Sequence, residues 1–384
     1  MIPVTQPYLP AREKLEKYID GIYQRKWLTN SGPLVEELTQ RLKKYLGVEH
    51  LLLVANGTLA LQMAYRALGI EKTINGKPAE AITTPFSFVA TASTLKWENI
   101  TPVFCDIDAE TWCLDPTCIE ASITPQTKAI VPVHVFGNAC DVEAIKAIAD
   151  KYQLKVIYDA AHAFGVKHNG DSLLQWGDAA TLSFHATKVF HTIEGGAIIF
   201  KDKESLDKAK ELINFGIEGP ERIVALGINA KMNEFNAAMG LCVLDEIELN
   251  LAQRSQIWHN YADNLGELIS FQQRNNNINN NYAYVPVVFD TEQKMLQVKD
   301  ALMVAGIMAR RYFYPSLDSL EFLNDKSPCH VSRNISARIL CLPIFSALNS
   351  ECLDLIIKTI KVSYEKNSLS RRSTYTNSAY QICP

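Results

Sequence analysis

The feature that most constrains this chain is a succession of short, largely apolar segments separated by amphipathic ones. Residues 51–55, 81–84, 101–105, 129–135, 155–158, 181–184 and 196–200 have the length and composition of buried strands. Helical periodicity runs through 12–24, 34–46, 59–68, 88–97 and 142–152. Ser31-Gly32-Pro33 introduces the second of these, and Asn56-Gly57-Thr58 turns the first strand into the third helix. Strands without a polar face need cover on both sides, which is the arrangement of a mostly parallel sheet between helices. The expected fold class is therefore α/β. A long helix around 240–265 leads out of this pattern. Beyond it come a strand at 283–289 and helices at 294–305 and 353–364, a smaller α+β domain. The expected division is 1–245 and 246–384. Residues 274–281, rich in Asn, are expected to form a loop with nothing buried, and the last dozen residues to form a polar tail.

Composition narrows the function classes. Lys and Arg number 38 against 42 Asp and Glu, a net charge of −4, so no broad basic field draws the chain to nucleic acid or anionic lipid. No apolar run approaches the ~20 residues of a membrane helix, and the first residues lack the pattern of a secretion signal. The nine cysteines show no C-x-x-C pair and no His at metal-ligand spacing. A reduced, cytoplasmic protein without a structural metal is expected. The parallel sheet invites a nucleotide fold, yet G-x-G-x-x-G after a strand, G-x-x-x-x-G-K-[ST], HExxH and G-x-S-x-G are all missing. Ligands of open α/β sheets lie at the C-terminal strand ends, so those ends carry the search.

Four of them hold residues a plain core does not need. Asn56-Gly57-Thr58 opens a helix, and is either an ordinary capped turn or a phosphate site. In Thr84-Pro85-Phe86-Ser87-Phe88 the aromatics are either core or a stacking face for a planar ligand. Tyr158-Asp159-Ala160-Ala161-His162 ends an apolar strand on a carboxylate, either a cap or a partner for a buried cation. Ser183-Phe184-His185-Ala186-Thr187-Lys188, followed by Glu194-Gly195-Gly196, sets a lysine just past another strand, where it either snorkels or serves as an amine nucleophile. One chemistry uses all four. An aldehyde cofactor needs a Lys amine, a carboxylate for its pyridine nitrogen, and donors for its phosphate, the pyridoxal 5'-phosphate arrangement.

At these residues the sequence resembles the DegT/DnrJ/EryC1/StrS family of sugar aminotransferases, enzymes of the fold type I pyridoxal phosphate class. The likeness runs in order from about residue 3 to about residue 345. It implies Lys188 as the lysine bonded to the cofactor and the proton shuttle, and Asp159 as the partner of the pyridinium nitrogen. It further implies His162 near the ring, Phe88 stacked on it, and Gly57, Thr58 and Ser183 on the phosphate. Asn229 would reach the phosphate of a neighbouring subunit, so the resemblance implies a homodimer with shared active sites. Some relatives carry histidine in place of the lysine and act as dehydratases; Lys188 is intact, and His185 and His191 only flank it. Residues 27–33 and 310–315 resemble segments of members acting on dTDP-linked 4-keto-6-deoxy sugars. Thr29, Asn30, His185, Arg310, Arg311, Tyr312 and Tyr314 are the candidate substrate contacts, with L-glutamate as amino donor. The alternatives are amination at C3, a UDP- or GDP-linked sugar, or a catalytically silent relative that keeps the cofactor.

Overall fold

The computed structural model describes residues 1–323 and 328–376. Its main sheet has seven strands: β1 (His50–Val54), β2 (Glu80–Thr83), β3 (Thr101–Phe104), β4 (Thr127–Val131), β5 (Lys155–Asp159), β6 (Ala179–Ser183) and β7 (Gly196–Phe200). They stand in the order β1-β7-β6-β5-β4-β2-β3. Every strand points the same way except β7, which is antiparallel to β1 and β6.

Side-chain alternation gives the sheet two apolar faces. Along β5, Val156 and Tyr158 join Leu38 and Leu42 of α2 (Pro33–Leu46) and Leu241 of α7 (Glu234–Asp245). Ile157 points the other way, into a core with Ala60 and Ala64 of α3 (Gly57–Ala67) and Ala209 of α6 (Lys203–Leu212). Each fully buried Leu or Ile contributes roughly 1.5–3 kcal/mol relative to exposure, so both faces require their helical cover. Three more helices complete this layer: α1 (Arg12–Arg25), α4 (Ala90–Trp97) and α5 (Val142–Tyr152). The ends of α2 follow from its sequence: Pro33 needs no amide partner at the first position, and Gly47 stops the helix at φ 66°.

The second layer is a three-stranded antiparallel sheet of β8 (Ser270–Phe271), β9 (Val285–Val288) and β10 (Ile339–Leu342). Around it lie α8 (Ile247–Leu265), α9 (Glu292–Val304), α10 (His330–Arg338) and α11 (Ser350–Thr376). Tyr261, Val287, Met295, Leu302, Leu340 and Ile356 form its core. The first residues of the chain belong to this layer: Ile2 bridges Ile307, and the Ile344 amide donates to the Val4 carbonyl at 3.1 Å. Phe86, Trp112, Phe136 and Phe313 pack edge-on or stacked between the two layers.

Some expectations change. The long helix at 240–265 is two helices that break at Glu246, whose backbone leaves helical geometry (φ −117°, ψ 12°). Its carboxylate accepts from Tyr8 Oη (2.6 Å) and Lys14 Nζ (2.5 Å), a reason for it to face α1 instead of continuing the spiral. The Asn-rich segment is a loop, but it is not free of buried groups: Asn281 is 2% exposed. The carbonyls of His162 and Phe164 take its amide protons, so burial leaves that donor satisfied. Helix α4 starts at Ala90, which leaves Phe88 in the preceding loop. Helices α6 and α10 and strand β10 have no counterpart in the sequence reading. The expected polar tail lies outside the described residues from 377 onward.

Candidate active site

The C-terminal ends of β5 and β6, the start of α3, the loop before α4 and the edge of the small sheet enclose a cleft of about 790 Å³. Asn56 shapes one wall. Its side chain accepts from the Leu59 amide at 2.8 Å, while the amides at the very start of α3 have no partner within the helix. A Cβ on Gly57 would stand 2.9 Å from Ser183 Cβ, so only glycine lets the end of β6 approach this helix so closely. Gly57, Thr58 and Ser183 therefore meet at one corner, facing a positive helix end.

Asp159 lies on the wall of the cleft and is 6% exposed. Oδ2 accepts from Thr91 Oγ1 (2.7 Å), which also bonds Ser87 (2.8 Å), and Oδ1 accepts from the Ala161 amide (3.1 Å). No ion pair reaches it among the described residues. Burial raises its pKa above the usual carboxylate value, against the opposing pull of Thr91, Ala161 and Lys188. The next turn brings His162, whose Nδ1 accepts from the Phe136 amide at 3.2 Å. That bond places the ring proton on Nε2 of the neutral imidazole. Desolvation, followed by the nearby Lys188, holds its pKa well below the ordinary histidine value. Its ring lies parallel to Phe313 at 5.8 Å.

Lys188 follows β6 in a tight loop, its amide bonded to the His185 carbonyl at 2.9 Å. Nζ enters the cleft and donates to Tyr284 Oη at 3.1 Å. Thus Lys188, Asp159, His162, Gly57, Thr58, Ser183 and Phe88 line one cavity, Phe88 with 58% of its surface exposed. Of the candidate substrate contacts, His185, Arg310 and Tyr312 line it as well. Arg311 and Tyr314 do not: the Arg311 guanidinium bonds Glu292 (2.7 Å) and the Ala337 carbonyl (2.9 Å) and lies 3.4 Å from the Tyr314 ring centroid. Thr29, Asn30 and Asn229 are exposed and also stand outside the cavity formed by this chain. Sequence reasoning missed Tyr284, Thr181, Met308 and the N-terminal residues Pro3 to Thr5, all of which line it. Tyr284 precedes an apolar strand, where an aromatic residue reads as core.

The donor set fits pyridoxal phosphate. A buried carboxylate has no ion-pair partner among the described residues, a lysine amine enters the same space, and a glycine keeps a helix start open for an anion. Comparison with known proteins agrees. A model of the DegT/DnrJ/EryC1/StrS aminotransferase family matches residues 11–361. The chain belongs to this family. It is a pyridoxal-phosphate-dependent aminotransferase. The dTDP-4-amino-4,6-dideoxy-D-glucose transaminase of Shigella dysenteriae is 43% identical to it over 365 residues, 93% of this chain and 98% of the relative. The Escherichia coli protein of the same name is 40% identical over 371 residues, 94% and 98% of the two chains. The solved structure of DesI in the presence of its TDP-sugar product superposes on this aminotransferase with a TM-score of 0.88 at 32% identity, covering 97% of this chain and 95% of that one.

Proposed function

We propose that this aminotransferase moves the amino group of L-glutamate to C4 of dTDP-4-dehydro-6-deoxy-D-glucose, giving 2-oxoglutarate and dTDP-4-amino-4,6-dideoxy-D-glucose. The observation that carries the substrate is the whole-length likeness, at 43% and 40% identity, to two transaminases of that specificity. The product would serve O-antigen or related glycan synthesis. Cys113, Cys140, Cys242 and Cys341 are buried thiols outside any disulfide, in keeping with work in the cytoplasm.

Bound pyridoxal phosphate supplies an aldehyde that carries nitrogen between substrates and a ring that spreads the charge left by a departing proton. Asp159 would hold the ring nitrogen, with Thr91 and the Ala161 amide fixing the carboxylate. Gly57, Thr58 and Ser183 would hold the phosphate, and Phe88 and His162 would border the ring. Lys188 Nζ would take the α-proton of glutamate in one half of the cycle and deliver a proton to C4 of the sugar in the other. Arg310, whose backbone is pinned to Cys341 of β10 (2.7 and 3.2 Å), would offer its guanidinium to the diphosphate. Its place among the lining residues supports this over a role for Arg311.

The active form would be a homodimer. Phe215, Ile223, Leu226 and Ile228 are exposed on the segment that carries Asn229, an apolar surface that a second copy would cover. Asn229, Thr29 and Asn30 would then serve the neighbouring cleft. Competition among dTDP-, UDP- and GDP-linked 4-keto sugars tests the assignment. The dTDP sugar should lead in kcat/KM by about 100-fold or more, and parity among nucleotides would reject it.

A further inference from the structure

We propose that Tyr284 is a positioning residue for Lys188: its phenol oxygen receives the amine whenever Nζ is free and keeps it aimed into the cleft. This rests on the reading of Lys188 as the cofactor-binding lysine. Among the described residues, Tyr284 Oη is the hydrogen-bond acceptor for Nζ, at 3.1 Å, and the ring centroid lies 5.8 Å from the nitrogen. An amine on a flexible four-carbon stem has many rotamers, so an unheld lysine would spend most of its time away from any one reaction geometry. A fixed acceptor removes that freedom before reaction begins.

The phenol itself is fixed. Its ring packs edge-on against Phe136 at 5.3 Å and lies 4.7 Å from the His162 ring. The backbone leading to it is held by Arg254 of α8, a buried guanidinium that donates to the carbonyls of Tyr282 (3.0 Å) and Ala283 (2.8 Å). Asn281 Oδ1 accepts from the Ala283 amide at 3.3 Å, while its amide nitrogen bonds the carbonyl of His162. The turn that carries His162 and the segment whose phenol receives Lys188 are thus tied through one buried side chain. Nζ commits one N–H to Tyr284 and keeps its remaining valence for the ligand side of the cleft.

Cofactor capture isolates this role from general integrity of the site. In capture, Nζ adds to the aldehyde carbon of pyridoxal phosphate, the nitrogen gives up two protons, and the aldehyde oxygen leaves as water. Pyridoxamine phosphate fills the same site and forms no bond to lysine. Cofactor-free parent and Tyr284→Phe proteins are mixed with each compound, following the absorbance of lysine-bound cofactor for the first and equilibrium binding for the second. The variant should capture pyridoxal phosphate about tenfold more slowly, the effect of losing one hydrogen bond to an amine, with pyridoxamine phosphate affinity and unfolding midpoint close to the parent. In turnover, kcat should fall with little change in KM. Equal capture rates overturn the proposal, as does a parallel loss of pyridoxamine phosphate binding, which would make Tyr284 a structural element. A parent protein that forms no lysine-bound cofactor would overturn the Lys188 assignment and this proposal together.

Discussion

Asp159 sets the energetic problem at the scale of single residues. A carboxylate nearly removed from water, bonded to a hydroxyl and an amide but in no ion pair among the described residues, destabilises its own charged form. Its folded pKa lies above the unfolded value, so the cofactor-free fold binds that proton more strongly than the unfolded chain does. The resulting advantage exists at low pH and is lost as pH rises through the folded value. Asp159→Asn should therefore flatten this part of the pH dependence, its unfolding midpoint gaining on the parent as pH rises past the ordinary carboxylate value, without cofactor. With cofactor the same variant should lose at least about 100-fold in kcat, because the developing ring charge has no partner. Lys188→Ala should lose both the absorbance of lysine-bound cofactor and transamination; turnover at parental rates would remove it from the chemistry. Asp159 and Lys188 were legible because a charge ending an apolar strand has few explanations. Tyr284 was not, since its hydroxyl partner lies on a different layer of the fold. The pair Arg310-Arg311 shows the same limit: only the β10 pairing decides which of two adjacent guanidinium groups faces the cleft.

At the scale of elements, several ties hold the site's supports, and one is absent from any motif. Glu234, fully buried at the start of α7, accepts from the amides of Leu34 (3.1 Å) and Val35 (3.0 Å) at the start of α2. It satisfies a helix end that Gly32 and Pro33 leave without a side-chain cap, and its own amide bonds the Leu28 carbonyl at 3.0 Å. The segment with Thr29 and Asn30 is clamped at both ends. Glu234→Ala should cost about 1–3 kcal/mol in urea unfolding, with Glu234→Gln closer to the parent because an amide oxygen still accepts. The seven strands of the main sheet were readable from apolar runs alone. Strand β10 was not, because four residues between two helices give too little pattern. Helix α6 buries a stripe of Leu206, Ala209 and Leu212 in an otherwise charged sequence, and that stripe acquires meaning only against the sheet.

For the whole molecule, the cleft of one chain omits Thr29, Asn30 and Asn229, and an apolar surface lies exposed beside the last of these. Sedimentation should show a dimer. Replacing Ile223 and Leu226 together by Asp should yield monomers with cofactor affinity reduced by about tenfold or more, as a phosphate contact from the second copy is lost. A mostly parallel sheet was foreseeable from strands lacking a polar face. The reversal of β7 and the capture of Ile2 and Val4 by the small sheet depend on contacts far apart in sequence. Purified protein given dTDP-4-dehydro-6-deoxy-D-glucose and L-glutamate should form a product whose mass reflects replacement of the keto oxygen by an amine and whose NMR spectrum places that amine at C4. No amination of this substrate, or an amine fixed at C3, would exclude transfer to C4 of the dTDP-linked sugar.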